Sequence, residues 1–177
     1  MCSASTVYTS IRESALVPGK WAVFPGGGGG MGSQGVQLAV ATGRSPVIID
    51  SEEEKRKLAL ELGAEAFLDF KESKDLASEV IAICDAIRAH GVMCIALPTL
   101  GAHPITVSGA ELIMKNKLIK GTMVSSMADV EKTLEFAKRG KFHFNPEIVG
   151  LSRLNESLQR LKKGQVPGRI VLDFNLE

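Results

Sequence analysis

The chain is poor in the residues that announce a chemistry by themselves. Its 177 residues include three cysteines, three histidines, one tryptophan and one tyrosine. Cys2, Cys84 and Cys94 are odd in number and form no C-x-x-C pair, which speaks against a disulfide framework or a self-contained zinc ribbon. His90, His103 and His143 are just as scattered. No apolar run approaches the roughly 18 residues of a membrane span, and the opening Met-Cys-Ser-Ala-Ser-Thr lacks the basic and apolar regions of a signal peptide. A cytoplasmic protein with no membrane partner is expected. The formal charge is only +1, so whole-molecule electrostatics points to no polyanion. Charge is uneven along the chain, acidic over 50–75 and basic over 115–169, but the lysines are dispersed and read as solvated helix faces. No nucleic-acid partner is expected.

Glycine, by contrast, is abundant and local. Of 18 glycines, Gly26, Gly27, Gly28, Gly29, Gly30, Gly32 and Gly35 fall within one short stretch, so they form a backbone device and do not reflect flexible composition throughout. With 45% hydrophobic and 23% charged residues the rest of the chain is ordinary globular material. Its length suits a single domain of the usual ~100 to 200 residues, running 1–177 with a leading helix over 1–17 and a C-terminal extension over 146–177.

Around the glycines the hydrophobic pattern alternates between strand and helix. Trp21-Ala22-Val23-Phe24 is a short apolar run that ends in the glycines, and Val36 to Ala41 is a small-residue helix stopped at Gly43. Pro46 to Ile49 is a second buried run ending at Asp50. Ser51 with Glu52, Glu53 and Glu54 predicts an N-cap and an acidic first turn for a helix that ends at Gly63. Ala66 to Phe70 is a third strand, a helix follows from Lys74 through Leu76, Val80, Ile83 and Ile87, and Val92 to Leu97 is a fourth strand. Further on, Ala110 to Asn116 and a stretch with Val130, Leu134 and Ala137 read as helices, with Asp129 as N-cap or first-turn acid. Leu118 to Val124, Pro146 to Leu151 and Arg169 to Phe174 read as strands, the last two flanking a helix with Leu154, Leu158 and Leu161. Such alternation predicts an α/β fold with a doubly wound parallel sheet of the Rossmann type.

Gly27-x-Gly29-x-x-Gly32 follows a strand and opens a helix, the context in which this pattern binds a dinucleotide. The first glycine permits the turn, the second lets the backbone approach a pyrophosphate, and the third lets helix and strand pack closely. The phosphates then meet the unpaired N–H groups and positive dipole end of the helix. Asp50 ends the second strand at the distance expected of the acid that binds ribose hydroxyls, which favours NAD over NADP. Other glycine-rich readings fit less well. A P-loop needs Gly-Lys-Ser/Thr, whereas Ser33 follows Gly32; a short-chain dehydrogenase needs Tyr-x-x-x-Lys, whereas Tyr8 is followed by Arg12. A methyltransferase, which also uses a glycine turn and a second-strand acid, stays open at this level.

Several motifs in register narrow the choice: Thr6-Val7-Tyr8, Pro18-Gly19-Lys20-Trp21, Gly26 to Gly32, Glu54-Lys55-Arg56-Lys57, Leu62-Gly63-Ala64-Glu65-Ala66, and Gly168-Arg169-Ile170-Val171-Leu172-Asp173-Phe174. Together they resemble the zinc-dependent medium-chain alcohol dehydrogenases, particularly the fungal ones, over nearly all of this chain but only the C-terminal, cofactor-binding half of theirs. The resemblance implies an NAD site with Gly27, Gly29, Gly30, Met31 and Gly32 at the pyrophosphate, Asp50 on the adenosine ribose, Lys55 beside that ribose and Arg169 toward the pyrophosphate. It places the backbone of Leu97 and Val124 along the nicotinamide pocket, and it matches Cys2 to a catalytic-zinc cysteine whose partner ligands lie upstream in the family. One thiolate does not hold a catalytic zinc, which takes about three protein ligands, so zinc is not expected.

The same resemblance implies two departures from the family. One strand-helix unit is missing where Ala89-His90-Gly91 runs straight into Val92, and Val92 to Leu97 is expected to slide into the vacant slot beside Trp21 to Phe24. The strands at 146–151 and 169–174 lose their usual partners, which predicts unpaired edges and an exposed apolar face, or a homodimer or second chain covering it. The expected function is that of an alcohol dehydrogenase-like NAD(H)-binding protein, nominally an oxidoreductase on alcohols or aldehydes, with doubtful redox activity and no assigned catalytic residue. His90, Cys94 and His103 are conceivable electrophiles but read more simply as structural or loop residues. The alternatives are a non-enzymatic remnant or partner-binding module, and a domain repurposed for non-redox chemistry in the cofactor crevice.

Overall fold

The structure is a computed structural model, and it describes residues 2–84, 92–95 and 106–176. The order is α1 (Cys2–Glu13), β1 (Trp21–Pro25), α2 (Gly32–Ala41), β2 (Ser45–Asp50), α3 (Glu53–Glu61), β3 (Ala66–Asp69), α4 (Leu76–Cys84), β4 (Val92–Ile95), α5 (Gly109–Met114), β5 (Leu118–Gly121), α6 (Met127–Lys138), β6 (Glu147–Gly150), α7 (Leu154–Lys162) and β7 (Ile170–Asp173). All strand pairing is parallel: β1-β2-β3, β4-β5 and β6-β7. This is the α/β architecture that the alternating pattern predicts.

Parallel strands joined by helices are covered on both faces, which is why β2 reads as an unbroken apolar run. Val47 and Ile48 are completely buried in it. Helix α2 serves two apolar clusters at once. Leu38 and Ala39 pack with Val7 and Ile11 of α1 and Ala22 of β1, while Val36 packs with Ile48, Ala59, Ala64 and Phe67 toward α3 and β3. At about 1.5–3 kcal/mol for each fully buried large aliphatic side chain, these two clusters are the main force holding the glycine turn between β1 and α2 in place.

One helix start differs from the sequence expectation, and a second takes one of the two forms expected. Ser51 does not cap α3; Glu52 occupies the N-cap with φ 84, and its amide reaches the Asp69 carboxylate at 3.4 Å. Ser51 lies one residue ahead of that cap position and gives its amide to the Asp50 carboxylate at 2.8 Å. For α6 the cap is Ser126, whose hydroxyl oxygen accepts from the amide of Asp129, so Asp129 is the first-turn acid.

The fourth strand also lies elsewhere than expected. Among the described residues β1 pairs only with β2, and β4 pairs with β5 from Val92↔Leu118 to Ile95↔Gly121, so β4 does not move in beside β1. The β5 end is tethered to α1. Ser10 and Thr122 share a hydroxyl hydrogen bond of 2.7 Å, Lys120 pairs with Glu13, and Arg12 reaches the buried Asp129 at 2.6 Å. These polar contacts hold β5 and the first turn of α6 to α1.

The C-terminal strands are not without partners either. β6 and β7 pair with each other, Ile148 opposite Val171, and the apolar side chains of that pair, with Phe174 beyond it, are exposed. The expected apolar face is therefore present, and each strand supplies the other's ladder on one edge while its other edge has no strand beside it among the described residues.

Candidate functional site

The turn at Gly26 to Gly32 is built so tightly that side chains are excluded at most positions. Gly26 takes φ +73 and donates its amide to Ile49 O at 2.7 Å, extending the β1-β2 ladder into the turn. A Cβ at Gly27 would lie 2.5 Å from Ile48 Cδ1, and one at Gly32 only 2.2 Å from Gly27 Cα, so these two glycines bring helix and strand into contact. Gly28 is blocked by the stem of Lys55, 2.6 Å from a Cβ. Gly29 differs from these, since its nearest neighbour would be Gly26 O at 3.5 Å. The open side of the turn is at the second glycine of the pattern, where backbone approach to a ligand is needed.

Helix α2 begins with Met31 at its N-cap and no side-chain cap; the amide of Ser33 in its first turn is taken by Gly29 O at 2.9 Å, so an anion here would meet the amides ahead of Ser33. The Met31 side chain packs on the Val7, Ile11 and Leu38 cluster, so what it offers the turn is backbone.

Asp50 closes one flank. Its Oδ2 accepts from Gly28 N at 3.0 Å, and its Oδ1 accepts from Ser51 N at 2.8 Å and from Lys55 Nζ at 2.8 Å. Both side chains of the Asp50–Lys55 ion pair are 8% exposed. A carboxylate has about four lone-pair sites, and three donors are in place, so Oδ2 retains one acceptor site for a further hydroxyl. In the absence of a ligand the Asp50 carboxylate thus does structural work, stapling the glycine turn to the first turn of α3.

Arg169 closes the other flank. The amide of Gly168 donates to Gly28 O at 2.9 Å, and the Arg169 guanidinium donates to Ser3 Oγ at 2.8 Å and, at the long limit of 3.5 Å, to Gly30 O. Ser3 in turn donates to Gln34 Oε1 at 2.8 Å. Among the described residues Arg169 has no carboxylate partner, and its guanidinium lies 5.5 Å from the centre of the Phe144 ring.

The structure therefore gathers Gly27, Gly29, Gly30, Met31, Gly32, Asp50, Lys55 and Arg169 around one turn. Val124, beyond β5, is linked to them by none of these contacts; it takes φ 55, an outlier for a β-branched residue. Leu97 lies outside the described residues, as do His90, His103 and the side chain of Cys94. Cys2 is exposed at the start of α1, and burial pushes the Cys84 thiol up. Among the described residues no three His, Cys, Asp or Glu side chains converge on a point. These donors do not fit a catalytic zinc, which needs about three protein ligands. Ser3, Gln34 and Phe144 escape a reading of the sequence, because polar residues on a helix and an aromatic in a loop carry no spacing signal.

Comparison with known proteins agrees with this geometry. A family model described as zinc-binding dehydrogenase matches residues 30–99. Alcohol dehydrogenase 1 of Neurospora crassa is 32% identical over 197 residues, which take in 98% of this chain and 55% of that protein. That stretch is longer than the whole 177-residue chain, so the relative carries positions with no counterpart here. Among solved structures, the alcohol dehydrogenase of Aeropyrum pernix superposes with a TM-score of 0.85 at 23% identity, covering 97% of this chain and 55% of that one. An acetophenone reductase of Geotrichum candidum in complex with NAD superposes with a TM-score of 0.77 at 25% identity, covering 98% and 54%. The chain is similar to zinc-type alcohol dehydrogenases and spans about half the length of those it matches.

Proposed function

From that kinship with half of a zinc-type medium-chain alcohol dehydrogenase, we propose that this chain binds NAD(H) at the Gly27–Gly32 turn. The observation that carries the reading is the pairing of an open second glycine with two opposite flanks of complementary chemistry. On one side Asp50 keeps an acceptor for a ribose hydroxyl, and on the other Arg169 offers a guanidinium with no carboxylate partner among the described residues. A pyrophosphate seated at the start of α2 meets the helix amides and the guanidinium together. The buried Asp50 carboxylate repels a 2′-phosphate, which sets the preference for NAD over NADP. When bound, the nicotinamide ring supplies hydride chemistry, and this chain's contribution is to hold the nucleotide and fix its orientation. The relative in complex with NAD supports the choice of ligand.

Among the described residues no cluster of His, Cys, Asp and Glu supplies the three ligands a catalytic zinc needs, so the reading is confined to binding of the nucleotide. A homodimer, or a second chain carrying the rest of the relatives' length, would cover the exposed Ile148 and Val171 face. Calorimetric titration with NADH tests the proposal. Saturable binding at millimolar or lower concentration, stronger than for NADPH, is expected, and the absence of any heat at millimolar NADH overturns it.

A further inference from the structure

We propose that Gln37 is a positioning residue that holds the Arg169 guanidinium over the glycine turn by way of the backbone of His143 and the ring of Phe144. The proposal rests on the NAD(H) reading above for its functional consequence, but its structural content stands apart from it. Gln37 sits on α2, the same helix that starts from the glycine turn, and its side chain is buried. Its Nε2 donates to His143 O at 3.0 Å and to Ser33 O at 3.2 Å, and its Oε1 accepts from His143 N at 2.6 Å. One side-chain amide thus satisfies both backbone groups of a single loop residue, as a neighbouring strand would.

That loop joins α6 to β6 and has no helix or strand of its own between 141 and 146. Its next residue, Phe144, lies against the Arg169 guanidinium, and its far end returns to Arg169 through Glu147 N donating to Arg169 O at 2.9 Å. Arg169 is accordingly gripped through its backbone by Glu147 and through its guanidinium by Phe144. The first grip continues the β6-β7 ladder, whereas the second depends on where the loop is fixed, and Gln37 is the side chain that fixes it to α2. Because α2 also carries the amides of the anion site, Gln37 sets the distance between two halves of one site from a rigid element. An arginine freed of its platform must be ordered at the expense of binding, since its side chain carries much rotamer entropy.

The test uses the full chain with Gln37→Leu, Gln37→Glu and Phe144→Leu. The first readout is the Arg169 Nε–H signal in nitrogen–proton correlation spectra, assigned by its loss in Arg169→Lys. The wild-type signal is expected to be displaced by the Phe144 ring, and both Gln37→Leu and Phe144→Leu should remove most of that displacement while the hydrogen bond to Ser3 remains. Gln37→Glu keeps the acceptor for His143 N but loses the donor to His143 O, and should fall between. The second readout is affinity for NADH and for inorganic pyrophosphate, expected to weaken about three- to ten-fold in Gln37→Leu while adenosine binding is unchanged. An Arg169 signal unmoved in folded Gln37→Leu overturns the proposal. Should that variant not fold, an unmoved signal in Phe144→Leu, a substitution at an exposed loop residue, overturns it equally. Wild-type protein that fails to bind NADH sinks the nucleotide reading instead, and the spectrum still decides whether Gln37 positions Arg169.

Discussion

Gly168 gives its backbone amide to the carbonyl of Gly28 at 2.9 Å, joining the C-terminal segment to the middle of the glycine turn. The amide of Gly28 points the other way, to the Asp50 carboxylate at 3.0 Å. One residue without a side chain therefore links the acid on the second strand to the arginine that follows Gly168. The turn is the place where three distant parts of the chain meet, and its glycines are not equivalent.

Gly29 and Gly32 should separate folding from binding. At Gly32 a methyl group meets the Gly27 backbone, which cannot yield, so Gly32→Ala should cost about 3 kcal/mol or more in urea unfolding. At Gly29 there is room, and Gly29→Ala should melt within about 2 °C of wild type. The added methyl projects where a phosphate must approach, so its NADH affinity should fall about ten-fold or more in calorimetry. Equal effects of the two substitutions on stability would contradict this division.

The buried pair of Asp50 and Lys55 makes a second prediction. Lys55→Met leaves the Asp50 carboxylate without its cation and should destabilise the fold by about 3–5 kcal/mol. Adding Asp50→Asn in the same chain removes the stranded charge and should recover a large part of that loss, a non-additivity that a double-mutant cycle reads directly. NADH binding should remain weakened by about 1–3 kcal/mol in Asp50→Ala, because the ribose hydroxyls lose their acceptor.

Acid should loosen the C-terminal unit first. The Arg160 guanidinium, hydrogen-bonded to both oxygens of Glu147 at 2.7 and 2.9 Å, holds that carboxyl below its usual range. A lowered folded-state value means that the stabilisation is present above the unfolded carboxyl value of about 4.3 and disappears as pH falls through the folded one. The pair is partly exposed, so the loss should be at most about 1 kcal/mol. The protection of the Ile148 and Val149 amides, taken relative to the exchange rate of an unstructured peptide at the same pH, should fall below about pH 4 in wild type, and already at neutral pH in Glu147→Gln.

The exposed face of β6-β7 should seek a partner. Ile148 is 58% exposed and Phe174 78%, beside the half-exposed Val171. We expect a dimer in size-exclusion chromatography, or a monomer that binds a hydrophobic dye, and Ile148→Lys with Phe174→Asp should abolish whichever is seen. A wild-type monomer that binds no dye would refute this.

Much of the site is legible in the linear pattern because it is local. Gly27, Gly29 and Gly32 lie within one turn, and Asp50 ends the next strand, so the periodicity of strand and helix alone brings them together. The strand assignments at 92–95, 118–121, 147–150 and 170–173 were likewise readable from short apolar runs, yet their pairing was not. β4 pairs with β5, whose end meets α1 through Ser10 and Glu13 reaching Thr122 and Lys120, contacts between side chains more than a hundred positions apart. No spacing rule records such contacts.

The sequence by itself determined the dinucleotide-type turn, the acid that flanks it and the parallel α/β character, since each follows from steric and periodic constraints over a few neighbouring residues. Tertiary structure alone decided that Asp50 is already stapled by Lys55 and Gly28, that β4 stays with β5, and that Arg169 is held at the turn by Ser3 and Phe144. Those outcomes depend on which distant polar groups find partners once the apolar clusters have closed, and burial makes an unpartnered group too costly to leave to chance.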